Sequence, residues 1–267
     1  MENSLIIDVR TSSGFFSNYL IFLDNLKYCQ RHNLKPIMRL GGNWYYSDGR
    51  QNLWDYFFEK INDGVPIGVS QHSNFFKLWE EKFTCHIGKV PLWEFYEDKE
   101  FIKQNRIEVN EISKLVKPSI EIQKKIDLFL KQNFENKKVL GLHIRGTDYH
   151  FNNLDLYLES VKKIIDEYDI VFIASDNFES INFFSEKFPN ICFYETNIRM
   201  NKMNDGCLAL YNPSNDKLKH GEDVLIEAYL LSNCHHLICI NSNVAAAALY
   251  INPNMTYDLI HRSLQGG

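Results

Sequence analysis

The densest run of residues able to do chemistry is Leu142-His143-Ile144-Arg145-Gly146-Thr147-Asp148-Tyr149. In an extended strand, successive side chains point to opposite faces. Leu140, Leu142 and Ile144 then point one way, and His143 and Arg145 the other, at the strand's C-terminal end. Arg145 presents a planar fork of donors that matches phosphate oxygens and stays charged at any working pH. His143 can donate beside it, and Thr147 and Asp148 follow in the loop entering the next helix. The bland alternative is an Arg145–Asp148 ion pair that only fixes this loop.

Three other junctions carry related signals. Ser175-Asp176-Asn177 closes the run IVFIASD, where capping of the next helix by Asp176 or Asn177 is the expected role. Asn241-Ser242-Asn243 closes HLICINS and opens a helix whose first residues are small, Val244 to Ala248. Small residues let a ligand approach the helix N-terminus, whose free N–H groups and positive dipole end favour phosphate. Ser242 and Asn243 acting as caps alone is the competing reading. Ser13-Gly14-Phe15-Phe16-Ser17-Asn18 links the first strand to the first helix and resembles a phosphate-cradling turn, without either glycine-rich consensus. Together these ends describe one cleft between domains for a phosphorylated ligand.

The elements that must position them alternate between β-rich runs and helical periodicity. Strands are expected at 5–10, 33–40, 139–145, 170–176, 191–195 and 236–242. Helices are expected at 19–32, 118–134, 155–168, 178–188, 222–234 and 243–251, with a polar loop at 197–221. In the second helix Ile122, Ile126, Phe129 and Leu130 form one stripe, and Pro118 suits its start. The stretch Gly41–Glu100 is aromatic and turn-rich. Strand-then-helix order points to an α/β protein with doubly wound parallel sheets. The polar break at 135–138 places a boundary between an N-terminal domain, 1–137, and a C-terminal domain, 138–267.

Composition narrows the function classes. A chain of 267 residues accommodates one large domain or two small ones. Its 45% hydrophobic and 24% charged residues exclude disorder, collagen and coiled coil as whole-chain descriptions. The aromatic share of 14% fits deep packing or a sugar-stacking surface. With 29 basic and 34 acidic side chains the net charge is −5, which argues against nucleic acid as the main partner. The six cysteines are scattered without zinc-ligand spacing and read as free core thiols of a reducing compartment. The N-terminus MENSLIIDVR lacks a signal-peptide pattern, and no apolar run approaches the roughly 20 residues that span a bilayer. A cytoplasmic protein is expected, with peripheral contact at the inner face of the membrane left open.

The run VLGLHIRGTDYH resembles the H-x-R-x-x-D signature of the GDP-fucose-dependent fucosyltransferases. That superfamily includes α1,2- and α1,6-transferases, the nodulation fucosyltransferase and, more distantly, protein O-fucosyltransferases. Two further blocks are similar to theirs in order, SGFFSNYLIFLDNLKYCQRHNLKPI and DVLIEAYLLSNCHHLICINSNVAAAALYINPN. The resemblance implies a GT-B fold, two Rossmann-like domains facing across a cleft. It implies inverting, metal-independent transfer of fucose from GDP-fucose to a glycan hydroxyl, here of a bacterial surface polysaccharide, with no cofactor. His143 and Arg145 would hold the diphosphate, and Arg145 would stabilise the leaving group's developing charge. Glu227 matches the acidic residue that contacts guanine and Ser242 the phosphate-contacting Ser, with Asn243 beside it. Thr147, Asp176, Gly14, Phe15, Ser17 and Asn18 complete the implied donor-binding set.

The sequence departs from the family at Gly146, where several relatives carry a second Arg. Lys217, Lys219 or His220 would replace that cation if the 197–221 loop folds over the cleft. Asp148 is the candidate base, with Glu59, Glu80 and Glu94 as alternatives. The acceptor would meet the N-terminal domain, where Trp44, Tyr45, Tyr46, Trp54, Trp79 and Trp93 either stack on a sugar or pack in a core. Two other functions share these features: transfer from a different nucleotide sugar, and a non-catalytic nucleotide- or glycan-binding module.

Overall fold

The computed structural model describes residues 4–9, 14–40, 52–61, 70–72, 99–146, 153–196, 199–201 and 216–260. The chain divides into two compact units, Met1–Lys124 and Lys125–Gly267. Each carries its own parallel sheet.

In the first unit, β1 (Ser4–Val9) lies between β2 (Lys35–Leu40) and β3 (Ser70–His72). Leu5, Ile6 and Ile7 are all buried, the continuous apolar run expected of a central parallel strand. Helix α1 (Phe15–Arg31) is buried along most of its length, so its polar residues Ser17, Asn18, Asp24 and Asn25 are buried too. It begins four residues earlier than its periodicity predicts, because Phe15, Phe16 and Tyr19 pack inward from its first turns. It ends in a Schellman motif: Leu34 N–H donates to the Cys29 carbonyl, Asn33 N–H to that of Gln30, and Asn33 takes a φ of 49°.

A short helix, α2 (Trp54–Phe57), supplies the aromatic core of this unit. The ring of Trp54 meets Phe22 and Phe58, and Phe15 meets Phe57. Helix α3 (Lys99–Ser113), which the sequence reading did not assign, follows. Helix α4 (Ile120–Asn133) runs close to the predicted span.

The second unit contains β4 (Val139–Ile144), α5 (Leu154–Ile164), β5 (Ile170–Ser175), α6 (Phe178–Ser185), β6 (Ile191–Cys192), α7 (Lys217–Ser232), β7 (His236–Cys239), α8 (Asn243–Ile251) and β8 (Thr256–Leu259). Its sheet order is β6-β5-β4-β7-β8, with every pairing parallel. The chain winds outward from β4 through β5 to β6, then crosses to β7 on β4's other side. That reversal between β4 and β7 is a topological switch point, where open parallel sheets bind ligands beyond their C-terminal ends.

The predicted alternation along β4 is present. Leu140, Leu142 and Ile144 join Tyr157 and Val161 of α5 and Ile181 and Phe184 of α6 in one core. Gly141 faces the other way, toward the end of α7, where an added Cβ would lie 3.0 Å from the Cys234 sulfur. A side chain at this position would press on Cys234, which would have to give by a few tenths of an ångström. On the same side of the unit Phe172 packs against Phe129 and Phe134 of the α4 segment.

Three expectations need correction. The 191–195 strand is only two residues long, because the Tyr194 carbonyl accepts from the Arg199 guanidinium instead of joining a ladder. The last turn of the helix predicted over 155–168 tightens to a 3-10 turn, Ile165–Glu167. Most consequential, 217–221 is the first turn of α7 and not loop. Asp216 caps it through Lys219 N–H at 2.9 Å, and Lys219 reaches forward one turn to Glu222 and Asp223. No helix among the described residues is long and apolar enough to cross a membrane.

Candidate functional site

At the switch point the exits of β4, β5 and β7 bring several of the predicted residues together. His143 pairs in register with Ala174 of β5 and Cys239 of β7. It is only 6% exposed, and neither ring nitrogen has a well-formed hydrogen-bond partner among the described residues. Burial pushes its imidazole down to about 4; Arg145 reinforces this, while Asp176 and the Ala174 carbonyl oppose it. The ring is therefore neutral near pH 7, with one nitrogen a donor and the other an acceptor. A buried imidazole with no well-formed hydrogen bond to the described residues is available to a ligand's polar edge.

Arg145 is the first residue beyond β4 and is half-buried. The next residue, Gly146, donates its N–H to the Asp176 carboxylate at 2.8 Å. Asp176 thus ties the exit of β4 to that of β5. Asn177, not Asp176, caps α6, its side-chain oxygen accepting from Ser180 N–H at 2.8 Å. Thr147 and Asp148 lie outside the described residues.

Ser242 caps α8, its hydroxyl oxygen accepting from Ala245 N–H at 3.0 Å. The cap and phosphate readings are compatible, because the hydroxyl proton still has a direction to donate in. Asn243 opens the helix, and the buried alanines Ala245 to Ala248 keep its first turns slim.

Glu227 projects from α7, 12% of its side chain exposed, and meets Arg199 at 2.6 Å. Burial pushes the carboxyl up and Asp223 and Asp176 reinforce this, while the 2.6 Å bond from the Arg199 guanidinium opposes it and favours the carboxylate form. Arg199 was missed in the sequence. It sits in a polar stretch without periodicity, and its role depends on acceptors from separate segments. Its guanidinium donates to the Ser175 and Tyr194 carbonyls, the Thr196 hydroxyl and Glu227, at 2.6–2.9 Å.

The cations proposed to stand in for a second Arg fall out differently. Burial works against the charged form of Lys219, but bonds to Asp223 and Glu222 outweigh it and hold the ammonium firmly charged. That ammonium is committed within α7. His220, one residue on, is pushed down by burial and drawn up by Asp176. Lys217 heads the same helix.

In the N-terminal unit Gly14 is the exposed N-cap of α1, and an added Cβ there would meet nothing within 4 Å. Phe15, Ser17 and Asn18 are buried. Phe15 packs on Phe16, Phe57 and Phe58, a core role. Trp54 is also core, 2% exposed with its indole N–H on the Glu59 carbonyl. Glu59 is exposed. Trp44, Tyr45, Tyr46, Trp79, Trp93, Glu80 and Glu94 lie outside the described residues.

Cys29, Cys192, Cys234 and Cys239 are free thiols, and burial pushes Cys29 and Cys192 up to about 12. Cys85 and Cys207 lie outside the described residues. No group of His, Cys, Asp or Glu among those residues is placed to hold a metal ion.

No family model and no curated protein matches the chain. Solved structures do. Fucosyltransferase NodZ from Bradyrhizobium is similar at 19% identity with a TM-score of 0.61, covering 98% of this chain and 96% of that one. An FUT1 variant of Arabidopsis thaliana in complex with GDP has 11% identity and a TM-score of 0.59, covering 98% and 70%. POFUT1 in complex with GDP-fucose has 10% identity and a TM-score of 0.54, covering 97% of each chain. Nearly the whole of this chain therefore follows an α/β fold of parallel sheets seen in three fucosyltransferases.

Proposed function

We propose that the protein is an inverting fucosyltransferase that takes fucose from GDP-fucose and does not need a metal ion. The observation that carries this reading is the convergence of His143, Arg145, Ser242 and Glu227 on one switch point, in a chain built like GDP- and GDP-fucose-binding transferases. The second unit is the donor domain and the first the acceptor domain. The whole protein is read as a cytoplasmic enzyme of glycan assembly, its acceptor a bacterial surface polysaccharide.

In this mechanism the acceptor oxygen attacks fucose C1 as the bond from C1 to the β-phosphate oxygen breaks. Charge grows on the departing diphosphate, where Arg145 and the head of α8 with Ser242 stabilise it. Asp148 accepts the acceptor's proton. His143 donates to the diphosphate beside Arg145, and Glu227 holds the guanosine end, its carboxylate accepting from guanine N1–H and the 2-amino group.

Calorimetric titration with GDP, GDP-fucose and UDP-sugars tests the reading. Binding of GDP and GDP-fucose, with GDP released on transfer or slow hydrolysis, is the expected result. Tight UDP binding or no GDP binding would sink it, and GDP-fucose binding without turnover would indicate a non-catalytic module. Turnover is expected to survive EDTA; a strict Mg²⁺ or Mn²⁺ requirement contradicts the metal-free step.

A further inference from the structure

Resting on that reading, the geometry points to Arg199 as the positioning residue of the nucleobase site: it holds the Glu227 carboxylate in place to read the guanine edge. Arg199 has only 1% of its side chain exposed, so its charge is not spent on solvent or on an outer surface. Four of its five N–H donors are used. Three of those bonds anchor it to the frame: Nε to the Ser175 carbonyl at 2.9 Å, Nη1 to the Thr196 hydroxyl at 2.7 Å and Nη2 to the Tyr194 carbonyl at 2.8 Å. The fourth, from Nη2 to Glu227 Oε1 at 2.6 Å, is what the frame supports.

The anchoring connects both halves of the site. Ser175 is the last residue of β5 and Asp176 follows it, holding Gly146 beside Arg145. Met200, next to Arg199, donates its N–H to the Asp176 carbonyl and accepts from Phe178 N–H. One strap therefore fixes the carboxylate assigned to the base and the backbone next to the arginine assigned to phosphate. A carboxylate has about four lone-pair directions, so a bond from Arg199 to Oε1 leaves room for the two donors of guanine.

Electrostatics supports the assignment. Glu227 faces Asp223 on its own helix, Asp176 at the end of β5 and Arg199. Lys219 is paired to Asp223, His143 and His220 lie in the field of Asp176, and α8 contributes no charged side chain. Among the described residues, Arg199 is thus the cation that favours ionised Glu227 against burial and two carboxylates. A lysine cannot replace it, because a point charge cannot bridge three fixed acceptors and a carboxylate.

The test compares GDP with inosine diphosphate, which lacks the 2-amino group, by calorimetric titration of the full chain. Wild type is expected to prefer GDP by roughly tenfold or more, since a site built to pair a donor rejects the analogue without it. Arg199→Met should bring the two affinities within about twofold, whereas a merely structural role would weaken both equally and keep the ratio. Glu227→Gln alone should lose the preference, and adding Arg199→Met in that background should not change the ratio further. That double variant also carries no unpaired buried carboxylate, so it serves if Arg199→Met does not fold. A retained GDP preference in Arg199→Met, or a further change of ratio in the double variant, overturns the inference while the proposed function stands. Absence of GDP binding in wild type overturns both.

Discussion

The two ends of the second unit's sheet are built from similar residues put to different use. At the N-terminal end, His235 accepts from Val139 N–H at 3.0 Å, and His236 pairs with Thr256 at 2.7 Å and Asp258 at 3.4 Å. Lys138 gives its N–H to Asp169 and its ammonium to Glu167. Most polar groups there are spent on one another and on the ends of the strands; His236 Nε2 has only the ion-pair contact to Asp258 and no well-formed hydrogen bond among the described residues. At the C-terminal end, among the described residues, neither nitrogen of buried His143 has a well-formed hydrogen bond, and buried Glu227 is ion-paired with Arg199. Satisfied polar groups hold a fold together; buried groups left short of partners cost stability and are kept where a ligand completes them.

Breaking the C-terminal end should cost function more than stability. Arg145→Ala is expected to lower fucose transfer by roughly 10²–10³-fold while circular dichroism and the melting transition stay close to wild type. Unfolding of this variant would show instead that Arg145 belongs to a structural ion pair.

The pH dependence of stability separates the ends next. The His143 imidazole is lowered from 6.5 to about 4 in the fold, so between those values the unfolded chain binds a proton that the folded chain does not. Stability therefore rises with pH across that window, and the contribution lost on acidification from 6.5 to 4 is on the order of 3 kcal/mol. Urea unfolding at a series of pH values should show His143→Leu losing less stability than wild type over this range. Equal slopes would mean that burial does not lower the His143 imidazole in the fold.

At pH 8 the same substitution is expected to stabilise the protein by about 1 kcal/mol, since an apolar side chain replaces a buried polar one that has no well-formed hydrogen bond to the described residues. Calorimetry should find weaker GDP binding in the same variant. The smallest effect belongs to the N-terminal end: His236→Ala should cost about 0.5–1 kcal/mol in urea unfolding and leave GDP affinity unchanged. A change in GDP affinity there would erase the distinction between the two ends.

What could be read locally was read well. Helix α8 occupies its predicted span, because Ser242 and a run of alanines announce it within a few residues. Strands β4 and β5 were legible from their apolar runs, and with them His143, Arg145 and Asp176 at their exits. Glu227 entered only through the resemblance, since nothing in EDVLIEAYLL distinguishes a ligand-facing acid from a solvated one. The start of α7 was misread as loop because its lysines and acids look like solvated polar residues until they pair one turn apart.

By itself, then, the sequence determined the strand-and-helix order from β4 to α8, the residues placed at the strand ends and a net charge of −5. Those depend on period, composition and short spacing, which neighbouring residues set among themselves. Only the tertiary structure decided that β4 and β7 lie side by side, that Asp176 ties two strand exits instead of capping a helix, and that Arg199 is the partner of Glu227. Arg199 takes its acceptors from residues 175, 194, 196 and 227, and no local pattern encodes a contact set by the packing of separate segments.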